Sequence, residues 1–359
     1  GTIGLFALVG LPYTLKFLWA PLMDRYTILP LGRRRGWMLV SQVLLILSVL
    51  GLSFAQPQRD LFFVAMMCLL VALFSSSQDI ALDAWRREAL PDDELGWGSS
   101  VHVSAYLFGM RMISGALALI LSDFISFSLV YQLMAISLVC GIIATMICHE
   151  PEVEMAPPRT LQEAVIDPFK DYFSKSGAWL ILIFILLYKV GDNMAAQMTM
   201  PFYLDLGFSR TEVGAITKVV GWISVAGGSL LGGILILRWK IIPSLFIFGI
   251  LQAISTLCFA GLAILGKSEA GLTFVIGFEN FTAGMGTSAF VAFLATVTNK
   301  KFTATQFALL SSLMGVPRIF AAAPTGFLAE SMGWVGFFFA CSVVALPGLL
   351  LIKPLQKKS

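Results

Sequence analysis

Eleven stretches of this chain are each long and apolar enough to cross a bilayer, and that repetition leaves few folds open. A hydrocarbon core of about 30 Å needs about 20 apolar residues in a helix. Such runs cover approximately residues 3–22, 36–55, 61–85, 97–121, 127–148, 178–203, 211–236, 241–265, 271–295, 305–329 and 334–353. Hydrophobic residues make up 58% of the 359 and charged residues only 13%, a balance far too apolar for an ordinary soluble domain. The chain is therefore read as an all-α polytopic membrane protein. The first run begins almost at residue 1 with no charged leader and is not read as a signal peptide.

Lys and Arg fall unevenly between alternate loops. One set of loops holds sixteen, including Arg25, Arg33, Arg34, Arg35, Arg86, Arg87, Lys170 and Lys175, and the other holds three, Arg59, Arg210 and Lys267. The basic side is expected to be cytoplasmic. A net charge of +3 distributed in this way implies no nucleic-acid partner. The one long connection on that side, 149–177, separates a first bundle at 1–148 from a second at 178–359. Within it Thr160-Leu-Gln-Glu163 has the form of a capping box, and Leu161, Ala164, Val165, Phe169 and Tyr172 recur at helical spacing. A short amphipathic helix at the inner surface is expected, with a solvated tether as the alternative.

Five spans before the connection and six after it suggest two related halves. A shift of 207 residues places Arg111 on Arg318, Asp123 on Glu330 and Ser104 on Ser311, and sets the sixth span over positions just before residue 1. The pattern reads as six plus six helices with the first helix missing, so that eleven of twelve spans are present.

The loop after the first span sharpens this. Asp24-Arg25-Tyr26 followed by Leu31-Gly32-Arg33-Arg34-Arg35 resembles the Asp-Arg…Gly-Arg-Arg signature of the major facilitator superfamily, and Gly228-Ser-Leu-Leu-Gly-Gly233 with Arg238 and Lys240 is its degenerate copy in the second half. A fixed carboxylate among several guanidiniums can lock one conformation and release it. Asp24, Arg25, Arg33, Arg34 and Arg35 are therefore candidate gate residues. Several further segments, Tyr13 to Tyr26, Ser77-Gln-Asp-Ile-Ala-Leu-Asp-Ala-Trp85, Leu187-Tyr-Lys-Val-Gly-Asp192, Phe278-Glu-Asn280, Gly284 to Phe290 and Thr305 to Leu310, are similar to those of the AmpG muropeptide permeases. The resemblance implies a proton-driven carrier of the bacterial inner membrane. Such carriers import N-acetylglucosaminyl-1,6-anhydro-N-acetylmuramic acid, with or without its peptide, for peptidoglycan recycling, and their cargo can signal β-lactamase induction. Acetyl-CoA or drug carriers of the same fold, and a non-transporting membrane sensor, are the competing readings.

Charges inside spans are costly and mark function by default. Phe74 to Trp85 carries Asp79 and Asp83 in an otherwise apolar helix. Counted back from the ends marked by Asp24 and Arg86, Lys16 and Asp79 lie at similar depth, about 10 to 12 Å in at ~1.5 Å per residue. A Lys16–Asp79 pair is expected, in which the carboxylate exchanges a proton as its partner moves, with Gln78 as a sugar contact. Asp83, close to Arg86, joins the gate. In the second half Lys189 and Asp192 stand at i and i+3, Lys218 and Glu279 lie at matching depth for a pair with Asn280 beside them, and Tyr188 is the best aromatic for a pyranose face. Arg111 and Arg318 complete the candidates, cations suited to lactyl and peptide carboxylates.

The five cysteines have no paired spacing, and His102 and His149 read as interfacial side chains, so neither a disulfide framework nor a metal site is expected. No phosphate-binding loop or catalytic triad is visible. The reading is a carrier and not an enzyme, driven by the proton gradient without a cofactor, embedded in lipid and expected as a monomer.

Overall fold

The computed structural model describes residues 8–56, 58–152, 156–322 and 324–356, apart from the side chains of Leu8, Arg318, Ile319 and Ala322. Nine helices among the described residues are long and apolar enough to cross a membrane. They are α2 (Arg33–Ser53), α3 (Leu61–Ala89), α4 (Leu95–Ser122), α5 (Phe127–Ile147), α6 (Ala178–Asp205), α7 (Arg210–Trp239), α8 (Ile241–Leu265), α9 (Glu269–Val297) and a last element, Thr325–Gln356. Within that last element Gly333 is non-helical at φ 68° and ψ 170°. It divides the end of α10 (303–322 and 324–332) from α11 (334–350), at the boundary expected between the last two spans.

The other two expected spans are helical but interrupted. In α1 (8–25), short α pieces at Leu11–Leu15 and Ala20–Arg25 flank a 3-10 turn at Lys16–Leu18. Pro12 and Pro21 each open one of these pieces, where a missing N–H costs nothing. Helix α10 is broken between Thr303–Leu313 and Gly315–Ala322. Polar side chains terminate several helices: Asp60 accepts from the Phe63 N–H at 2.9 Å to cap α3, and Ser209 with Glu212 forms a reciprocal capping box on α7.

The chain forms two compact units. The first comprises residues 1–91, 112–172 and 297–312, and the second 92–111, 173–296 and 313–359. Relative to the two sequence halves, the opening part of α4 and the opening part of α10 are exchanged. Small residues make the first exchange possible. A Cβ at Gly96 would overlap the Ile236 side chain, and one at Gly233 would meet Ser100 Oγ and the Trp97 ring. Ser229 Oγ donates to the Ser100 carbonyl at 3.0 Å and lies 2.7 Å from Ser288 Oγ, joining α4, α7 and α9. Further along the same seam, a Cβ at Gly228 would collide with the Phe281 carbonyl, and one at Gly284 with the Val225 carbonyl. With little hydrophobic force between helices in lipid, such close backbone approach is what holds α7 to α9.

The connection does contain the expected helix, Leu161–Ser174. Thr160 Oγ1 accepts from the Glu163 N–H at 3.0 Å, and Glu163 returns a bond to the Arg159 N–H at 2.9 Å. Its buried stripe is Ala164, Pro168 and Tyr172, spaced four apart, whereas Leu161 and Val165 stay exposed. Asp171 accepts from Asn299 Nδ2 at 3.0 Å and from Gln306 Nε2 at 2.8 Å, fastening this helix to the start of α10.

The seam generates a stability prediction. Gly228→Val places a branched side chain against the Phe281 backbone and should cost about 2 kcal/mol. A lowered unfolding midpoint in detergent checks it, and a midpoint equal to wild type contradicts the seam.

Candidate functional site

In the first unit, α1 presents Tyr13, Lys16 and Trp19 to the polar stretch of α3. A 3-10 turn has about three residues per turn, so residues three apart fall in line. Tyr13 Oη lies 2.6 Å from Ser75 Oγ, Lys16 Nζ 3.8 Å from Asp79 Oδ2, and Trp19 Nε1 donates to Ser77 Oγ at 3.0 Å. The expected Lys16–Asp79 pair is thus present. Its partners differ in access: the Lys16 side chain is 6% exposed and that of Asp79 37%. The carboxylate is the member a substrate or water can reach. Half-buried Gln78 makes no side-chain hydrogen bond among the described residues. One turn further, Arg86 Nη2 donates to Asp83 at 2.9 Å while its guanidinium stands 5.8 Å from the Phe307 ring centre.

The gate residues centre on Arg34, which is fully buried. It donates to Asp24 Oδ1 at 2.8 Å, to both Glu88 oxygens at 2.5 to 3.1 Å and to the Met23 carbonyl at 2.9 Å. Arg33 adds bonds to the Asp24 carbonyl at 3.0 Å and to Glu88 at 3.3 Å. Asp24, itself fully buried, accepts from the backbone N–H groups of Ala304 and Thr305 at 3.1 and 2.8 Å and from Thr305 Oγ1 at 2.7 Å. It therefore caps the first turn of α10, where a carboxylate is favoured by the helix dipole. Three arginines opening α2 would by the same rule be unfavourable. Glu150 answers them by accepting from the N–H groups of Arg34 and Arg35 at 2.6 and 3.0 Å, against a Gly32 held at φ 110°.

Two gate candidates direct their side chains elsewhere. Arg35 instead caps the end of α5, donating to the carbonyls of Thr145 and Met146 at 3.0 and 2.7 Å. Arg25 lies 4.9 Å from the Tyr26 ring centre and belongs to no ion pair among the described residues. Glu88, Glu150 and Thr305 were not singled out from sequence. The Arg86-Arg87-Glu88 run was the available sign of the first.

In the second unit, Lys189 occupies a break in α6 between Ala178–Tyr188 and Val190–Asp205. Its Nζ donates to Asp192 Oδ2 at 3.3 Å, as expected, and also to Gln252 Oε1 at 2.9 Å. Gln252, a lone amide in the apolar run of α8, was the missed partner. Across α4 and α9, Arg111 Nη1 donates to Asn280 Oδ1 at 3.2 Å, and Asn280 Nδ2 donates to Glu279 Oε2 at 3.0 Å. Lys189, Asp192 and Arg111 all act electrostatically on Glu279, so the two groups form one cluster.

Two expectations here change, and a third lies outside the described residues. Lys218 is exposed and forms no ion pair with Glu279 among the described residues. It sits in a π-helical turn, Thr217–Gly221, whose extra residue per turn alters the direction each side chain takes. Tyr188 is 5% exposed, donates to the Leu245 carbonyl at 2.9 Å and stacks on Phe290 with centroids 5.1 Å apart, so it packs the core and offers no sugar face. Arg318 lies in the helix Gly315–Ala322, but its side chain is outside the described residues. No group of three or more His, Cys, Asp or Glu among the described residues could hold a metal ion.

Membrane-spanning helices that carry paired charges, together with a buried charge lock, define the class as a polytopic membrane transporter. The family model of the Major Facilitator Superfamily matches residues 2–322. The anhydromuropeptide permease of Escherichia coli K12 is 44% identical over 98% of this chain and 72% of its own length. The putative transporter AmpG 1 of Rickettsia bellii is 33% identical over 99% of this chain and 90% of its own. Among solved structures, the Escherichia coli fucose:proton symporter FucP superposes with a TM-score of 0.72 at 11% identity, covering 98% of this chain and 94% of that one. The proton:xylose symporter XylE gives 0.71 at 11%, covering 98% and 84%, and these two likenesses speak for the fold. The chain belongs to the major facilitator superfamily and, within it, to the AmpG permeases, which are transporters and not enzymes.

The lock generates a prediction that geometry alone does not trivialise. Arg34→Ala leaves Asp24 and Glu88 buried with one weaker cation and should cost about 3 to 5 kcal/mol. Arg34→Lys, which keeps the charge but loses the fork, should recover only part of it. Thermal unfolding of the three proteins in detergent checks the order.

Proposed function

We propose that this chain imports N-acetylglucosaminyl-1,6-anhydro-N-acetylmuramic acid and its peptide derivatives across the bacterial inner membrane, coupled to protons, by alternating access. The observation that carries the reading is the 44% identity over nearly the whole chain to the Escherichia coli anhydromuropeptide permease. Each unit by itself carries side groups that suit such a cargo. Arg111 and Lys189 provide cations for its carboxylates. Gln78 and Asn280 provide amides for sugar hydroxyls and acetamido groups, and the reachable Asp79 carboxylate accepts from hydroxyl or ammonium donors.

The mechanism follows from the cost of charge in lipid. The arginine-rich loops lie on the cytoplasmic side, where the Asp24–Arg34–Glu88 lock holds the start of α10. Releasing Asp24 from the first turn of α10 frees two backbone donors and one carboxylate together. That release is favourable only when water or cargo replaces the lost partners. The lock therefore acts as a two-state element that cargo and protons bias.

Uptake of radiolabelled anhydro-disaccharide into whole cells expressing the protein tests this. Accumulation should appear with the wild type, collapse when an uncoupler dissipates the pH gradient, and be lost in Asp79→Asn at unchanged expression. Uptake that persists at full rate with the uncoupler removes proton coupling. Absence of any disaccharide uptake removes the substrate assignment.

A further inference from the structure

Asp79, Asp192 and Glu279 are carboxylates inside spans, and their surroundings differ in one respect. Asp79 has Lys16 at 3.8 Å, and Asp192 has Lys189 at 3.3 Å. Among the described residues no Lys, Arg or His nitrogen lies within 4.0 Å of the Glu279 carboxylate. Its hydrogen-bond donor is the uncharged Asn280 amide at 3.0 Å, whose oxygen in turn accepts from Arg111 at 3.2 Å. Lys189 and Asp192 act on it from α6 and Arg111 from α4, while Tyr203 on α6 feels its charge. The two cations that act on it are held by other groups, Lys189 by Asp192 and Gln252 and Arg111 by Asn280.

We propose that Glu279 is the residue that carries the coupling proton, and that the Asn280 amide links it to a cargo carboxylate taken by Arg111. This rests on the carrier reading above and adds the division of labour within it. Asp79 and Asp192 each lose an ion pair when neutralised, and their lysines would be left buried without a counter-charge. Glu279 gives up no ion pair: its protonated form keeps an acceptor oxygen for the Asn280 amide and gains an O–H to donate.

The proton step is a simple transfer. One hydronium O–H bond breaks in the water on the open side, a carboxyl O–H bond forms on Glu279, and the site charge rises by one. On the opposite side the same bond breaks and the proton returns to water. A cargo carboxylate that draws Arg111 off Asn280 brings negative charge to the cluster. A neutral Glu279 accommodates that charge best, so proton and cargo reinforce each other's binding.

The test uses the full chain in proteoliposomes with labelled anhydro-disaccharide, and reads two activities. Accumulation driven by an inward-acid gradient requires the proton carrier. Exchange of labelled for unlabelled disaccharide without a gradient does not require it to titrate. Glu279→Gln should lose accumulation while exchange continues, and Glu279→Asp should restore accumulation. Asn280→Leu should shift the pH dependence of accumulation away from that of the wild type. Asp79→Asn, which breaks an ion pair, should lose both activities. Accumulation by Glu279→Gln at the wild-type level overturns the proposal, and so does loss of its exchange along with accumulation. A wild type that neither exchanges nor accumulates the disaccharide overturns the carrier reading itself.

Discussion

A charge in hydrocarbon must have a partner, and the organisation of this protein follows from meeting that demand inside each compact unit. Lys16 answers Asp79, Lys189 answers Asp192, and Arg34 answers Asp24 and Glu88. None of these arrangements is a cheap route to stability, since well-packed apolar residues would do as well or better. Their use is specificity: each fixes one helix against another at a defined depth, and each can be exchanged for a different partner at small net cost when water or cargo enters. A helix pair held only by leucines has no comparable alternative state.

The lock around Arg34 carries this logic furthest, because it ties side-chain charge to helix ends. Asp24 neutralises Arg34 and at the same time satisfies two backbone donors opening α10, while Glu150 satisfies two opening α2. The linker helix adds Asp171 to Gln306 one residue further along α10. The first turn of α10 is therefore held through its backbone and its side chains by separate parts of one unit. Motion of that turn would break several charge-assisted bonds together, which favours a discrete change over a gradual one.

Much of this was legible from the chain alone. Span lengths gave the helices, with Gly333 falling between the last two, and counting residues back from the charged loops put Lys16 and Asp79 at one depth. Such counting fixes position along a helix axis but not direction around it. That is why Lys218, displaced by a π turn, did not meet Glu279, and why Tyr188, adjacent in sequence to Lys189, points into the core instead of sharing its site. The partners that went unseen are separated widely in sequence: Glu88 lies 54 residues from Arg34, Glu150 116, and Thr305 281 from Asp24. Their side chains look like ordinary loop acids and a helix-start threonine until the fold brings them to the lock.

On the proposed mechanism the paired charges receive an anionic, hydroxyl-rich cargo together with a proton. The most direct measurement is titration of the purified protein in weakly buffered detergent solution with anhydro-disaccharide, following heat and proton uptake together. Saturable binding accompanied by proton uptake is the predicted result. Saturable binding with no exchange of protons, or no binding at all while the protein remains folded, would contradict it.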